Sequence, residues 1–315
     1  MILTVTMNPS VDISYPLKKL ELDTVNRVSD VRKEAGGKGL NVSRVIKLAG
    51  EKGIATGLIG GNLGKYITSH LDEVGIEHSF LQIAQESRNC IAILHEELQT
   101  EILEPGPEVT EQEQEQEQFI RHFTGLLEQA DTVTLSGSLP VGVPKDFYQT
   151  LIRIAHSRNK KVLLDCSGEC LKRATTGADL PYLIKPNKQE LEQLTGQSFD
   201  VDSPGTFIKL ISSHQELQKI PWVVVSLGKN GAFAKIEDNY FTVRIPEINV
   251  INAVGSGDST IAGLAVGISN HDLPENILKR AMAFGMLNAM EPQTGCINMI
   301  HFEHLFNNIS VVPCH

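Results

Sequence analysis

Residues 252–261 read NAVGSGDSTI and are followed directly by AGLAVGI. The two glycines allow a tight turn with close backbone approach, and the apolar residues after them recur at helical spacing. Free amide groups at the start of such a helix attract an anion, and the helix dipole adds to the attraction. The stretch therefore predicts a buried helix whose first turn forms an anion site from the amides of Gly255, Ser256 and Gly257.

Asp258 falls in the first turn of this predicted helix. A carboxylate there can orient a hydroxyl group beside a bound phosphate and take its proton. Asp is also among the best helix N-caps, so a plain cap explains the stretch alone equally well. A dinucleotide-binding loop is disfavoured because GSGDST lacks the third glycine of GxGxxG, and the chain contains no GxxxxGK[ST] loop.

A second glycine loop, GGKGLN at residues 36–41, also leads into a segment of helical periodicity. Lys38 stands among three glycines and Asn41 falls in the first helical turn, so both can meet a hydroxylated or phosphorylated ligand. A single loop of this kind is most often ordinary turn chemistry. Two such loops together predict one position for a phosphate donor and one for its acceptor.

Short β-branched runs alternate with helical stretches, which is the pattern of a mostly parallel sheet flanked by helices. The predicted core strands are residues 2–6, 54–59, 132–136, 161–165, 182–185 and 222–227. Ligands of such sheets collect beyond the carboxyl ends of the strands. Residues 10–33 and 87–104 interrupt the alternation, and we predict that they form a small second sheet that closes over this edge as a lid.

Composition and charge restrict the class of protein. The 315 residues suffice for one large domain, and the formal net charge of −10 argues against an extended nucleic-acid surface. The first twelve residues have no cationic region and too short an apolar run for a signal peptide, and no run approaches a membrane span. With five irregularly spaced cysteines, we expect a protein of the reducing cytoplasm. Cys166 and Cys170 lack the spacing of a zinc site and are interpreted as buried small residues.

Several further candidates follow predicted strands. Asn187 and Glu190 in KPNKQE share the first turn of a helix, where the carboxylate can hold Mg²⁺ through water or complement the helix dipole. Ser226, Gly228 and Gly231 end a strand, with a plain hairpin and a nucleotide-binding loop as alternatives.

Three candidates lie in or beside the predicted lid. Asp12 can accept hydrogen bonds from two sugar hydroxyls or close an Asx turn. Arg27 and Arg88 are of a residue type that is usually solvated, but a phosphate group on the substrate would give both of them a partner.

Taken in order, these motifs resemble those of the PfkB (ribokinase-like) carbohydrate kinases over essentially the whole chain. The motifs are GGKGLN at 36–41, SGSLP at 136–140, KPNKQE at 185–190, SLGKNGA at 226–232 and VGSGDS at 254–259. Within the family the chain is similar to the tagatose-6-phosphate kinases of lactose and galactose breakdown, through MNPSVDISY, RNCIAILHE, QTEILEPGP, LDCSG and GMLNAMEPQTG. Phosphofructokinases are the near neighbours.

The resemblance implies one Rossmann-type αβα domain over residues 1–315 with a β-sheet lid, usually paired lid to lid as a homodimer. It implies a cytoplasmic kinase that uses ATP and Mg²⁺ to convert tagatose 6-phosphate to tagatose 1,6-bisphosphate. 1-Phosphofructokinase and 6-phosphofructokinase are the alternatives within the family. A catalytically silent sugar-phosphate sensor is the alternative outside it, because fold does not fix function.

The resemblance also implies roles for individual residues. Asp258 matches the catalytic base, and Gly255, Ser256 and Gly257 match the anion hole. Asp12, Gly37, Lys38 and Asn41 match sugar-contacting positions, while Arg88 and Ser138, with Arg27 reaching across a dimer, match positions near the existing phosphate. Lys185, Asn187, Ser226, Gly228 and Gly231 match the nucleotide side, and Glu190 the magnesium motif.

Two residues depart from the family pattern. Ala253 stands where the family usually has threonine or another short residue, so the resemblance does not decide whether a monovalent cation binds near this loop. Ser256 stands where the family commonly has alanine.

Overall fold

A computed structural model of the chain describes residues 1–96, 98–109 and 114–314. The capping box that the sequence predicts from Thr110 and Glu113 lies outside the described residues. The strands are β1 (Ile2–Thr6), β2 (Ser10–Pro16), β3 (Arg32–Gly36), β4 (Gly53–Gly60), β5 (Leu81–Ile83), β6 (Arg88–His95), β7 (Leu98–Leu103), β8 (Thr132–Ser136), β9 (Lys161–Asp165), β10 (Leu183–Ile184), β11 (Trp222–Ser226), β12 (Ala232–Ile236), β13 (Asn239–Arg244) and β14 (Ser310–Cys314). The α-helices are α1 (Lys38–Leu48), α2 (Gly61–Glu73), α3 (Glu115–Leu126), α4 (Phe147–His156), α5 (Gly168–Ala174), α6 (Lys188–Thr195), α7 (Pro204–Ser212), α8 (Gln215–Lys219), α9 (Ser256–Ser269), α10 (Pro274–Ala289) and α11 (Phe302–Asn308).

A large sheet forms the centre of the molecule. Across the described ranges it has ten strands in the order β14-β13-β12-β11-β10-β9-β8-β1-β4-β5. Neighbours run parallel from β11 to β5, and β12, β13 and β14 add an antiparallel edge. All six predicted core strands belong to this sheet, and their ends agree within one residue. The predicted mostly parallel α/β fold is confirmed.

The large sheet separates two hydrophobic cores, because successive side chains of a strand point to opposite faces. In β11, Val223 and Val225 pack in the core that includes α3, α4, α5 and α7, whereas Trp222 and Val224 pack in the core that includes α1, α9 and α10. None of the helices in the described ranges has the length and apolar character needed to cross a membrane.

A small separate sheet stands at the carboxyl edge of the large one. Its order over the described residues is β3-β2-β6-β7, with β2 and β6 parallel and the outer strands antiparallel to them. Val11 and Ile13 anchor one face of it against Ile67 and Leu71 of α2. β2 follows the carboxyl end of β1, and β3 leads directly into α1, so the small sheet is held at this edge of the large sheet. The face of the small sheet that points away from α2 lies above the carboxyl ends of the parallel strands.

Candidate active site

A cavity of about 670 Å³ lies between the carboxyl edge of the large sheet and the small sheet. This volume is in the range of small-molecule sites. The cavity brings together the starts of α1, α6 and α9 with β2, β6 and β7. Of the predicted site residues, those that line it are Asp12, Gly37, Lys38, Asn41, Arg88, Lys185, Asn187, Glu190, Ser226, Gly255, Gly257 and Asp258.

The turn before α9 has the geometry of an anion site with one difference from the prediction. Gly255 adopts a left-handed φ of 82°, and a Cβ there would lie 2.6 Å from Thr294 Cγ2, so only glycine fits. The Ser256 amide donates to the Ala253 carbonyl at 3.2 Å, because the turn folds back at this point. The amides of Gly255 and Gly257 have no hydrogen-bond partner within the described residues. These two, rather than all three, are available to an anion.

Asn288 of α10 holds this turn in place. Its Nδ2 donates to the Val254 carbonyl at 2.8 Å, and its Oδ1 accepts from the Gly295 amide at 2.7 Å and from Ser259 Oγ at 3.2 Å. The side chain is fully buried. Sequence reasoning did not identify Asn288, and the one available signal was a polar residue inside the apolar run AMAFGMLNAM.

Asp258 lies at the bottom of the cavity and is only 7% exposed. Asn41 Nδ2 of α1 donates to Asp258 Oδ2 at 2.8 Å, so the two glycine loops of the sequence meet at this hydrogen bond. Burial and the nearby Asp165 raise the pKa of Asp258 to about 6, while Lys38, Asn41 and Lys185 act in the opposite direction. At neutral pH the carboxyl group is therefore mostly ionised, with a proton affinity suited to a base.

Asp165, at the carboxyl end of β9, connects two cationic side chains. Lys38 Nζ and Lys185 Nζ each lie 3.5 Å from Asp165 Oδ1, and the side chains of Asp165 and Lys185 are 1% and 4% exposed. The Asp165 carboxylate raises the pKa of Lys38 above its usual range, so this lysine remains charged. The sequence predicted the strand that ends at Asp165, but Asp165 itself was assigned no role.

Asp12 of β2 faces the cavity beside a glycine that makes room for it. Ser10 Oγ donates to Asp12 Oδ1 at 2.6 Å, and burial raises the pKa of Asp12. A Cβ on Gly36 of β3 would lie 2.0 Å from Asp12 Cγ. Arg88 is fixed nearby by bonds from Nη1 to the Glu104 carbonyl at 3.0 Å and from Nη2 to the Asn8 carbonyl at 3.1 Å.

Asn187 and Glu190 form a capping box at the start of α6. Asn187 Oδ1 accepts from the Glu190 amide, and Glu190 Oε2 accepts from the Asn187 amide, both at 2.9 Å. The cap takes up one carboxylate oxygen, and Oε1 has no hydrogen-bond partner among the residues that are described. A fixed carboxylate that lines the cavity fits Mg²⁺ held through water, since hard cations prefer oxygen ligands.

Five predicted residues lie outside the lining of the cavity. Ser256 turns away from it, Ser138 is exposed after β8, and Arg27 is exposed between β2 and β3. Gly228 and Gly231 form the turn of the β11–β12 hairpin, both with left-handed φ, where a Cβ on Gly231 would lie 2.0 Å from the Val243 carbonyl oxygen. The hairpin is present at this turn, and the nucleotide-binding role of the two glycines stays a prediction.

Comparison with known proteins adds an independent observation. The sequence matches the model of the pfkB family of carbohydrate kinases over residues 5–299. A candidate phosphofructokinase from Staphylococcus aureus is 30% identical, with a TM-score of 0.84, over 100% of this chain and 99% of that one. Phosphofructokinase-2 from Escherichia coli, solved in complex with potassium, is 25% identical, with a TM-score of 0.86, over 97% of this chain and 98% of that one. A possible 1-phosphofructokinase from Thermotoga maritima is 25% identical, with a TM-score of 0.86, over 100% and 99%.

The family match extends over most of the described fold, from β1 to the segment before α11. The similar structures share the arrangement of a large, mostly parallel sheet and a small separate sheet along almost their entire length. The sequence-based predictions of this fold and of a carbohydrate kinase are confirmed. The chain belongs to the pfkB family of carbohydrate kinases.

Proposed function

We propose that this enzyme phosphorylates D-tagatose 6-phosphate to D-tagatose 1,6-bisphosphate with ATP as the donor. The family and its similar structures make the protein an ATP-dependent sugar-phosphate kinase. The observation that carries the mechanism is the ionisable Asp258 beside the free amides of Gly255 and Gly257 at one end of the cavity. The choice of tagatose 6-phosphate rests on the sequence segments shared with tagatose-6-phosphate kinases.

In this mechanism Asp258 is the base. Its Oδ2 is occupied by the Asn41 amide, which leaves Oδ1 to accept the proton of the attacking sugar hydroxyl. The hydroxyl oxygen forms a bond to the γ-phosphorus as the bond from that phosphorus to the β,γ-bridging oxygen breaks, and ADP leaves with that oxygen. The amides of Gly255 and Gly257 stabilise the charge on the transferring group.

The remaining cavity residues divide between the two substrates. Asp12, Gly37, Lys38 and Asn41 contact the sugar, and Arg88 binds its existing phosphate. Lys185, Asn187 and Ser226 serve the nucleotide, with Gly228 and Gly231 shaping the adjacent turn. Glu190 would hold Mg²⁺ through water, and the bound ion would neutralise part of the phosphate charge.

The small sheet acts as a lid and as a dimer interface. Its cavity face carries apolar residues at the rim, with Leu94 38% exposed and Leu103 59% exposed. A second copy of the sheet packed on this face would cover them and would bring the partner's lid loop, which contains Arg27, to the sugar phosphate. We propose a cytoplasmic homodimer paired in this way, with a monovalent cation near Ala253 as an optional ligand.

Two other functions would use the same cavity, and one of them has specific support. The structural neighbours are named as phosphofructokinases, which favours fructose 1-phosphate or fructose 6-phosphate as the substrate. A silent sugar-phosphate sensor would use the same cavity without turnover, but a sensor has no need for a buried carboxylate of raised pKa at the phosphate position.

The decisive experiment is coupled ADP release with Mg-ATP against tagatose 6-phosphate, fructose 6-phosphate, fructose 1-phosphate and an unphosphorylated hexose, compared by kcat/KM. The highest kcat/KM on tagatose 6-phosphate is the expected result. Preference for either fructose phosphate would keep the mechanism and change the substrate. No turnover on any of them would favour the sensor.

A further inference from the structure

We propose that Arg44 is a positioning residue for the catalytic base, which it orients through the side-chain amide of Asn41. This inference deepens the proposed function, because it rests on Asp258 acting as the base. Arg44 lies on α1 one turn after Asn41, so both side chains project from the same side of the helix.

The three residues form a chain of directed hydrogen bonds. Arg44 Nη1 donates to Asn41 Oδ1 at 3.1 Å, and Asn41 Nδ2 donates to Asp258 Oδ2 at 2.8 Å. Asn41 is 6% exposed, so water has little access to either end of its amide. The Asn41 side chain thus connects a guanidinium group on one side with a carboxylate on the other.

The chemistry of the two ends permits only one orientation of the amide. A guanidinium group has donors and no acceptor, and an ionised carboxylate has acceptors and no donor. If the Asn41 amide rotated by half a turn, its NH₂ group would meet the Arg44 donors and its oxygen would meet the Asp258 oxygen. Both contacts would be repulsive in a buried site. Arg44 therefore keeps the NH₂ group of Asn41 on the base.

Arg44 is itself fixed by two further bonds. Nη1 also donates to the Thr294 carbonyl at 3.0 Å, and Nη2 donates to the Ala35 carbonyl at 2.7 Å. Ala35 belongs to β3 of the small sheet, and Thr294 contacts the position of Gly255 at the anion turn. The guanidinium group thus has a defined place between the small sheet, α1 and the turn that precedes the base.

The groups that act on the Asp258 charge come from three elements. They are Asp165 at the end of β9, Lys38 and Asn41 of α1, and Lys185 after β10. The Asn41 hydrogen bond favours the ionised base, so its loss raises the pKa of Asp258. Removal of Arg44 should therefore move the acidic limb of the pH–rate profile to higher pH, although Arg44 does not contact Asp258.

The test compares Arg44→Met, Arg44→Lys and the exposed control Arg121→Met in kinase assays from pH 5 to pH 9. For Arg44→Met we expect kcat at pH 7 to fall about tenfold, the acidic limb to rise by about one pH unit, and KM for ATP to stay within about twofold. Arg44→Lys should restore part of the loss, since its ammonium group can still donate to Asn41 Oδ1. Arg121→Met should behave like the parent.

A double-mutant cycle separates positioning from a direct contact with substrate, because Arg44 also lines the cavity. If Arg44 acts through Asn41, adding Arg44→Met to Asn41→Ala should lower kcat by less than about twofold further. If the two substitutions lower kcat independently, so that the losses of the single variants multiply in the double variant, the proposal is wrong. A raised KM with an unmoved acidic limb would also overturn the proposal.

A spectroscopic readout keeps this proposal separate from the proposed function. The carboxyl carbon-13 signal of Asp258, assigned by its loss in Asp258→Asn, should titrate at higher pH in Arg44→Met than in the parent. That shift in a protein without kinase activity would reject the function and retain the positioning role. An unshifted titration in a protein with kinase activity would reject the positioning role and retain the function. If Arg44→Met fails to fold, Arg44→Lys gives the same comparison, with a smaller rise in the pH at which Asp258 titrates.

Discussion

The Asp258 carboxyl is buried beside a second carboxyl, and its pKa is raised from 3.8 to about 6. Between these two pH values the folded protein binds more protons than the unfolded chain, so the free energy of unfolding falls as pH rises through this window. At neutral pH the ionised base lowers the stability of the fold by on the order of 1–3 kcal/mol. A buried carboxyl group that does not stabilise the fold agrees with the proposed role of Asp258 as the base.

Asp258→Asn tests both effects of this charge. We expect kcat to fall by about 10²–10⁴-fold with substrate binding nearly unchanged, because the base acts in the transition state. We also expect a higher urea midpoint at pH 7, since the buried charge is gone. Asp202→Asn, on an exposed loop before α7, is the matched control and should change neither. Turnover of Asp258→Asn within about tenfold of the parent would reject Asp258 as the base.

The pH dependence of kcat/KM follows from the same carboxyl group. Only ionised Asp258 can accept the proton, so the rate should be flat near neutral pH and should fall about tenfold per unit below pH 6. Coupled assays with the coupling enzymes in excess at each pH would measure this. A rate that stays constant down to pH 5 would contradict the assignment.

The junction of β3 with α1 depends on a glycine that leaves room for Asp12. In Gly36→Ala the new Cβ would lie 2.0 Å from Asp12 Cγ, so the carboxylate must move from its place in the cavity, where we propose that the sugar binds. We expect KM for the sugar phosphate to rise about tenfold or more, with KM for ATP nearly unchanged. Steady-state kinetics with each substrate varied in turn would measure the difference.

Gly125→Ala is the control for this substitution. Gly125 lies in α3, and a Cβ there would meet no atom within 4 Å. Alanine at this position should raise the free energy of unfolding by about 0.5–1 kcal/mol and leave kinetics unchanged. A Gly36→Ala enzyme with the parent's KM for sugar phosphate would show that Asp12 does not contact the sugar.

The sequence predicted the elements whose signal is local. The strands β1, β8 and β9 agree in both bounds with the prediction, because each is a short apolar run buried on both faces. The strand β5 was missed because it has three residues, of which only Ile83 is buried. Such runs predicted six of the ten strands in the described part of the large sheet, whereas the strands at its edges depend on contacts that a sequence does not display.

The centre of the site was predictable because glycine patterns mark it. Asp258 and Asn41 each stand in a recognisable loop, yet the bond between them joins residues 217 positions apart. Asp165, Arg44 and Asn288 were missed because a polar residue at a strand end or in a helix looks, in sequence, like an ordinary cap or surface residue. Their roles depend on tertiary contacts alone.

The proposed homodimer is a property of the whole assembly and is tested through the small sheet. The parent should have about twice the chain mass of 34.6 kDa by light scattering. The double variant Leu94→Glu with Leu103→Glu should be monomeric, because two carboxylates per copy would be buried without partners. Ile300→Glu, at a position that is 85% exposed, should remain a dimer. A monomeric parent enzyme would contradict this arrangement.

The interior position of β1, between β8 and β4, affects how the large sheet is assembled during synthesis. β1 pairs with β4 on one side and with β8 on the other, and β8 comprises residues 132–136. A ribosome adds roughly 5–20 residues per second, so one edge of β1 waits on the order of ten seconds for its partner to be synthesised. During that interval an apolar strand with unpaired backbone groups is open to other nascent chains. Among the described strands of the large sheet, β1 therefore waits longest for one of its pairing partners.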